Sequence, residues 1–146
     1  MRASFEVDQS IALVASGAYY DLHNCFDFVG YEYQPAARVA RFSWERTDGP
    51  WVPDDLPQEL SLVFEEVSNL AVRMRDDEKP YSEDDCVEAI SFLPREQAHD
   101  FDSICPDHRS LDEHFMILFE SDACVKIWAT RVFLEIKEPN RVAGGN

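Results

Sequence analysis

Two short clusters in this 146-residue chain combine residue types that bind metals: His23-x-Cys25 and Cys105-x-x-His108. Two thiolates and two imidazoles are donors that tetrahedral zinc takes, and Asp102 or Asp107 could orient an imidazole by accepting from its second nitrogen. Neither spacing matches a zinc-finger signature, so no cofactor is expected. The cluster defines an alternative, a small metal-dependent or His-assisted enzyme using His23, Cys25, Cys105 and His108. General acid and base types gather nearby in His99-Asp100, His108 and Asp112-Glu113-His114, with Cys105 as a nucleophile beside His108. His114 opens an apolar run and reads as structural. The chain has no G-x-S-x-G elbow, no P-loop and no G-x-G-x-x-G, and two of its five glycines fall in the tail, so no loop can cradle a phosphate. No catalytic residue is assigned.

A second constellation is acidic. Residues 54–122 carry 20 Asp and Glu against 5 Lys and Arg, so almost the whole formal charge of −16 belongs to one stretch. Within it, Asp76, Asp77, Glu78, Glu83, Asp84, Asp85 and Glu88 surround Tyr81. Packed like charges repel one another, a cost that steering a cationic partner could justify, and an aromatic among charges is a typical interface anchor. The plainer alternative is a solvated loop that serves solubility. Trp51, between Pro50 and Pro53 and followed by Asp54-Asp55, repeats the combination of rigid backbone, aromatic and acid; it either anchors a partner or folds back over a sheet edge. A dedicated calcium loop is not expected, because Lys79 and Pro80 occupy the loop and the glycine needed for the sharp turn is missing. Glu65 and Glu66 could extend the acidic surface.

The elements that must position these residues are strands. Leu60, Leu62 and Phe64 alternate with polar neighbours, as do Leu70, Val72 and Met74, and Val132, Leu134 and Ile136. Further strands are expected over 26–33, 37–45, 86–93, 114–120 and 124–129, about eight in all. Turn chemistry separates them at Gln34-Pro35, Asp48-Gly49-Pro50 and Glu120-Ser121-Asp122. Without helical crossovers the pairing should be antiparallel, which predicts an all-β, single-domain β-sandwich or partly open barrel over 1–141, with 142–146 as a flexible tail. One short helix is expected near 9–22, capped by Asp8 or Ser10, although Gly17 opposes it.

Composition excludes several classes. With 45% apolar residues and 12% aromatics, the chain is too rich for disorder despite its charge. The apolar run at 11–14 is too short for a signal peptide and that at 115–119 too short to span a bilayer, so a soluble, cytoplasmic protein without a membrane partner is expected. Cys25, Cys86, Cys105 and Cys124 are far apart and read as buried, reduced thiols. Nucleic acid is an improbable partner, since the basic residues are scattered and only Arg38, Arg41 and Arg46 approach a cluster. A row of carboxylates can instead mimic nucleic acid and occupy the phosphate site of a nuclease.

The strand pattern over 60–74, the runs 115–119 and 124–136, and the acidic segment between them resemble the small acidic β-rich immunity proteins of bacterial polymorphic-toxin and contact-inhibition systems. The resemblance implies a protein partner, a basic toxin that the domain would neutralise, and assigns no residue roles. The sequence thus favours a non-enzymatic, acidic protein-binding domain. Besides the enzyme reading, a structural or assembly module pairing by exposed strand edges is the remaining alternative. Oligomeric state is not legible.

Overall fold

A computed structural model describes residues 1–94 and 113–138. Ten strands make up its regular structure: β1 (Arg2–Ala3), β2 (Glu6–Asp8), β3 (Ala12–Ala15), β4 (Ala18–Asp21), β5 (Phe26–Gln34), β6 (Val39–Arg46), β7 (Glu59–Arg73), β8 (Val87–Leu93), β9 (His114–Phe119) and β10 (Cys124–Lys137). The large sheet runs in the order β5-β6-β7-β10-β9-β8 and curls into a half-barrel, while β2-β3-β4 form a small second sheet. All pairs are antiparallel except β1, which adds two residues parallel to β10. The fold is therefore all-β, as expected.

Cross-strand register lines the concave face with apolar rows. Tyr31, Phe42, Leu62 and Leu134 form one row, and Tyr33, Ala40, Phe64 and Val132 the next. Phe64 continues the core through Phe42 and Phe115, each with its ring centroid 5.7 Å away. Offset and edge-to-face geometry adds to the area these rings bury.

Two of the expected strand pairs are each one long strand. The apolar runs 60–64 and 70–73 belong to β7, which stops just before Met74, and 124–129 and 131–136 to β10. Between the runs, Glu66 adopts a φ of 54° and the register slips between Trp128 and Ala129. A bulge leaves one residue unpaired and sharpens the local twist, so the polar residues between the runs mark a bend and not a reversal. That bend lets the sheet curl.

The helix expected near 9–22 is instead a hairpin. Ser16 and Gly17 both adopt positive φ (50° and 78°), which makes a tight two-residue turn between β3 and β4 and pairs Leu13 with Tyr20. Such a turn matches the strand twist, and the β-branched Ile11 and Val14 favour the extended form. The outer face of β8, β9 and β10 is also buried, by a second cluster of Ala89, Leu93, Met116, Leu118 and Cys124. A strand covered on both faces needs no polar alternation, which explains the continuous run 115–119.

The sheet edges are β5 and β8, and they converge at one rim. The Phe28 amide donates to the Asp85 carbonyl at 2.8 Å, and the Phe28 and Phe119 rings lie 4.8 Å apart. Lys126, Arg131 and Lys137 lie on β10, which is an inner strand between β7 and its other neighbours; Lys126 is fully buried.

Candidate functional site

The rim where β5 and β8 meet gathers four chain segments. The turn 21–25 is held by Asp21, whose Oδ1 accepts from the His23 and Asn24 amides at 2.9 Å each. The Cys25 carbonyl accepts from the Thr47 amide, and the Thr47 hydroxyl donates to Asp27 at 3.1 Å. The Cys86 carbonyl accepts from the Glu120 amide at 2.9 Å, and the Ser121 carbonyl from the Asp76 amide at 2.8 Å. Hydrogen bonds therefore tie the turns at 21–25, 47–51 and 120–123 to the acidic loop.

Among the described residues, the group of metal-ligating side chains that includes His23 does not include Cys25. The neighbours of His23 are Cys86 and Glu120: Nδ1 lies 3.8 Å from the Cys86 Sγ and 3.8 Å from a Glu120 carboxylate oxygen. The same nitrogen stands 2.6 Å from the Val87 carbonyl oxygen, which can only accept, so Nδ1 carries the proton. Cys105 and His108 lie outside the described residues, as do His99, Asp100, Asp102, Asp107 and Asp112. Cys25, Cys86 and Cys124 carry free thiols, and of these Cys124 alone is fully buried, whereas Cys25 and Cys86 are half-buried.

This trio lacks the geometry of a cysteine nucleophile. A His that activates a thiol uses one nitrogen for the thiol and the other for the orienting acid, whereas here thiol and carboxylate both approach Nδ1. Burial, then the charge of Glu120 and its acidic neighbours, pushes the Cys86 thiol up to about 11. At neutral pH it is protonated and unreactive.

The acidic residues occupy the same rim. Asp76, Asp77, Glu78, Tyr81, Asp84, Asp85 and Glu88 are exposed and Glu83 is half-buried, with Tyr81–Glu83 forming one 3-10 turn. Glu88 is the extra residue of a bulge, since Val87 pairs with Phe119 and Ala89 with Leu118. Bulges at barrel rims re-aim side chains, and this one turns Glu88 outward between two buried neighbours. Burial, then Asp27, raises the Asp85 carboxyl, and burial followed by Glu120 and Asp122 raises that of Glu88. Part of the charge is answered internally. Arg75 bonds Asp84 at 2.8 Å and stacks over the Tyr81 ring, and the Lys79 Nζ lies 3.9 Å from Asp122.

The two aromatics remain accessible, Tyr81 at 82% and Trp51 at 64%. The Trp51 ring leans over Gly49, and its indole N–H donates to the Asn24 carbonyl at 3.0 Å, which joins it to the His23 turn. Asp54 and Asp55 follow on an exposed turn, where the Asp54 and Leu56 carbonyls accept from Arg46. Glu65 is engaged in a two-pronged pair with Arg131 at 2.9 and 3.1 Å, and so does not extend the open acidic surface. Arg38, Arg41 and Arg46 form no basic face either. Arg38 donates to the Val67 and Glu66 carbonyls and Arg41 pairs with Glu135.

Sequence reasoning missed that Cys86 and Glu120 meet at His23. Their separation in the chain hides the pairing, and the detectable signal was only that Cys86 opens a strand and Glu120 closes one. No helix among the described residues is long and apolar enough to cross a membrane. No protein-family model matches the chain, no curated protein matches it, and no solved structure matches it.

Proposed function

We propose that this chain is a non-enzymatic binding domain of the immunity-protein type, whose acidic rim docks a basic protein surface such as that of a toxin. The observation that carries this reading is the joining of the acidic loop to Tyr81 and Trp51, the most exposed aromatics among the described residues, on one rim. Between residues 76 and 88 there are seven acids and one Lys. The two cations nearest the loop, Arg75 and Lys79, already face Asp84 and Asp122. The other six acids, Asp76, Asp77, Glu78, Glu83, Asp85 and Glu88, supply long-range attraction, and Tyr81 and Trp51 supply short-range apolar contact. A field of this sign repels nucleic acid, and the reading goes with a cytoplasmic location, where an immunity protein would meet its toxin.

Capture from extracts of the native host at low salt, followed by elution at high salt, should recover a basic protein. Binding of that purified protein should weaken at least tenfold, with a shallower salt dependence, when Asp77, Glu78 and Glu83 are changed together to Lys. Among the described residues these three side chains form no hydrogen bond or ion pair, so the variant should keep the wild-type melting profile. Unchanged affinity and salt dependence in the folded triple variant would place the interface elsewhere.

A further inference from the structure

We propose that His23, Cys86 and Glu120 bind one borderline divalent cation of the zinc type, with the Val87 carbonyl oxygen as fourth donor. The inference is independent of the docking reading, because it rests on donor geometry and needs no protein partner. The three side-chain donor atoms lie within 4.8 Å of one another. Tetrahedral zinc with ordinary bond lengths places N, S and O donors roughly 3.3–3.6 Å apart. The Nδ1–Sγ and Nδ1–Oε1 separations of 3.8 Å therefore need to close by only a few tenths of an ångström.

The backbone holds these donors in advance. His23 sits on the turn tied by Asp21, and the amide of Glu120 bonds the carbonyl of Cys86. The donors come from three separate segments, so a bound ion would link the turn before β5 to the start of β8 and fasten the two edges of the half-barrel. The surroundings also favour a cation, because Asp27, Glu83 and Asp85 add negative charge around the thiol. Sulfur and nitrogen among the donors select zinc-like ions over calcium or magnesium.

Two adjustments accompany binding. The Cys86 thiol gives up its proton to solvent as its sulfur bonds the metal, and the imidazole proton moves from Nδ1 to the outward Nε2, so one proton is released in all. The Val87 carbonyl, which accepts from Nδ1–H at 2.6 Å, turns its lone pair to the metal as that contact lengthens to about 3.3 Å.

Cobalt(II) added to reduced, metal-free full-length protein provides the test. One equivalent should produce thiolate-to-cobalt charge-transfer absorption that zinc abolishes by displacement. The band should disappear in Cys86→Ser and persist in Cys25→Ser, and Glu120→Gln should weaken cobalt binding at least tenfold. Failure of wild-type protein to develop the band overturns the site, as does a band that survives Cys86→Ser. Should Cys86→Ser misfold, the half-exposed Glu120→Gln decides, and unaltered cobalt affinity in it overturns the proposal.

Discussion

The two histidines of the described structure occupy opposite settings. His23 stands at the acidic rim, half-exposed, with Nδ1 bonded to a carbonyl and a thiol and a carboxylate beside it. His114 is fully buried, stacked on Trp128 with ring centroids 4.5 Å apart and planes at 17°, and neither of its nitrogens has a hydrogen-bond partner among the described residues. Burial, and then the charge of Lys126, holds His114 down at about 4. At the rim, burial and like charge push Asp85, Glu88 and Cys86 up. One physical cause, loss of hydration, thus makes the sealed pocket reject protons and the rim retain them. Acid should weaken the first region and relax the second.

The largest effect expected from this contrast belongs to His114. Its folded value lies below the unfolded value of about 6.5, so the unfolded chain binds more protons between the two, and stability falls as pH drops from about 6.5 toward 4. The full shift corresponds to about 3 kcal/mol at 1.36 kcal/mol per unit. Glu113 and Lys126, both buried, are the charged residues nearest it in sequence and in field. His114→Phe keeps an aromatic surface against Trp128 and removes the titration. Urea midpoints of wild type and variant should diverge progressively as pH falls from 6.5 to 4, with the variant the more stable. Parallel curves would mean that the pocket opens to water.

That pocket was only half legible in the sequence. His114 reads as structural because it opens an apolar run, and it lies fully buried. The burial of both faces of β9 was not legible, because a continuous apolar run of five residues suits several environments. The rim shows the reverse. The acids at 76–88 are plain in the sequence and do lie together, since neighbours along a loop remain neighbours in space. Contacts between distant segments were not readable: His23 finds Cys86 and Glu120 across 63 and 97 positions, because strand order decides those meetings. Local turn chemistry also overrode periodicity at Ser16-Gly17, where positive φ turns an expected helix into a hairpin.

A smaller effect separates the two exposed or stacked tryptophans. Trp128 is fixed by His114, whereas Trp51 rests on Gly49, where an added Cβ would stand 2.6 Å from the ring. Gly49→Ala should swing the indole outward, break its bond to the Asn24 carbonyl and shift Trp51 emission to longer wavelength, best seen as a difference from Trp51→Phe. The stability loss should stay near 1 kcal/mol, the usual worth of one hydrogen bond, because the rim is already solvated. An unchanged emission spectrum would show that the ring does not depend on the glycine.

The smallest effect is the mirror of the first. Asp85 and Glu88 have folded values above their unfolded ones, so the native state binds more protons in that window, and the pair costs stability at neutral pH that is regained as pH falls through the raised values. Asp85 faces Asp27, Asp84 and Glu83; Glu88 faces Glu120 and Asp122, offset by Lys79 and His23. Replacing both by Asn and Gln should therefore stabilise the protein at pH 7 by a few tenths of a kcal/mol, as surface changes commonly do, with the gain vanishing toward pH 4. Loss of stability at pH 7 instead would mean that the two carboxylates hold structure. If the stabilised variant also bound a basic partner less tightly, the repulsion at this rim would be a cost retained for recognition, since a feature that served solubility alone could be neutralised without losing any contact.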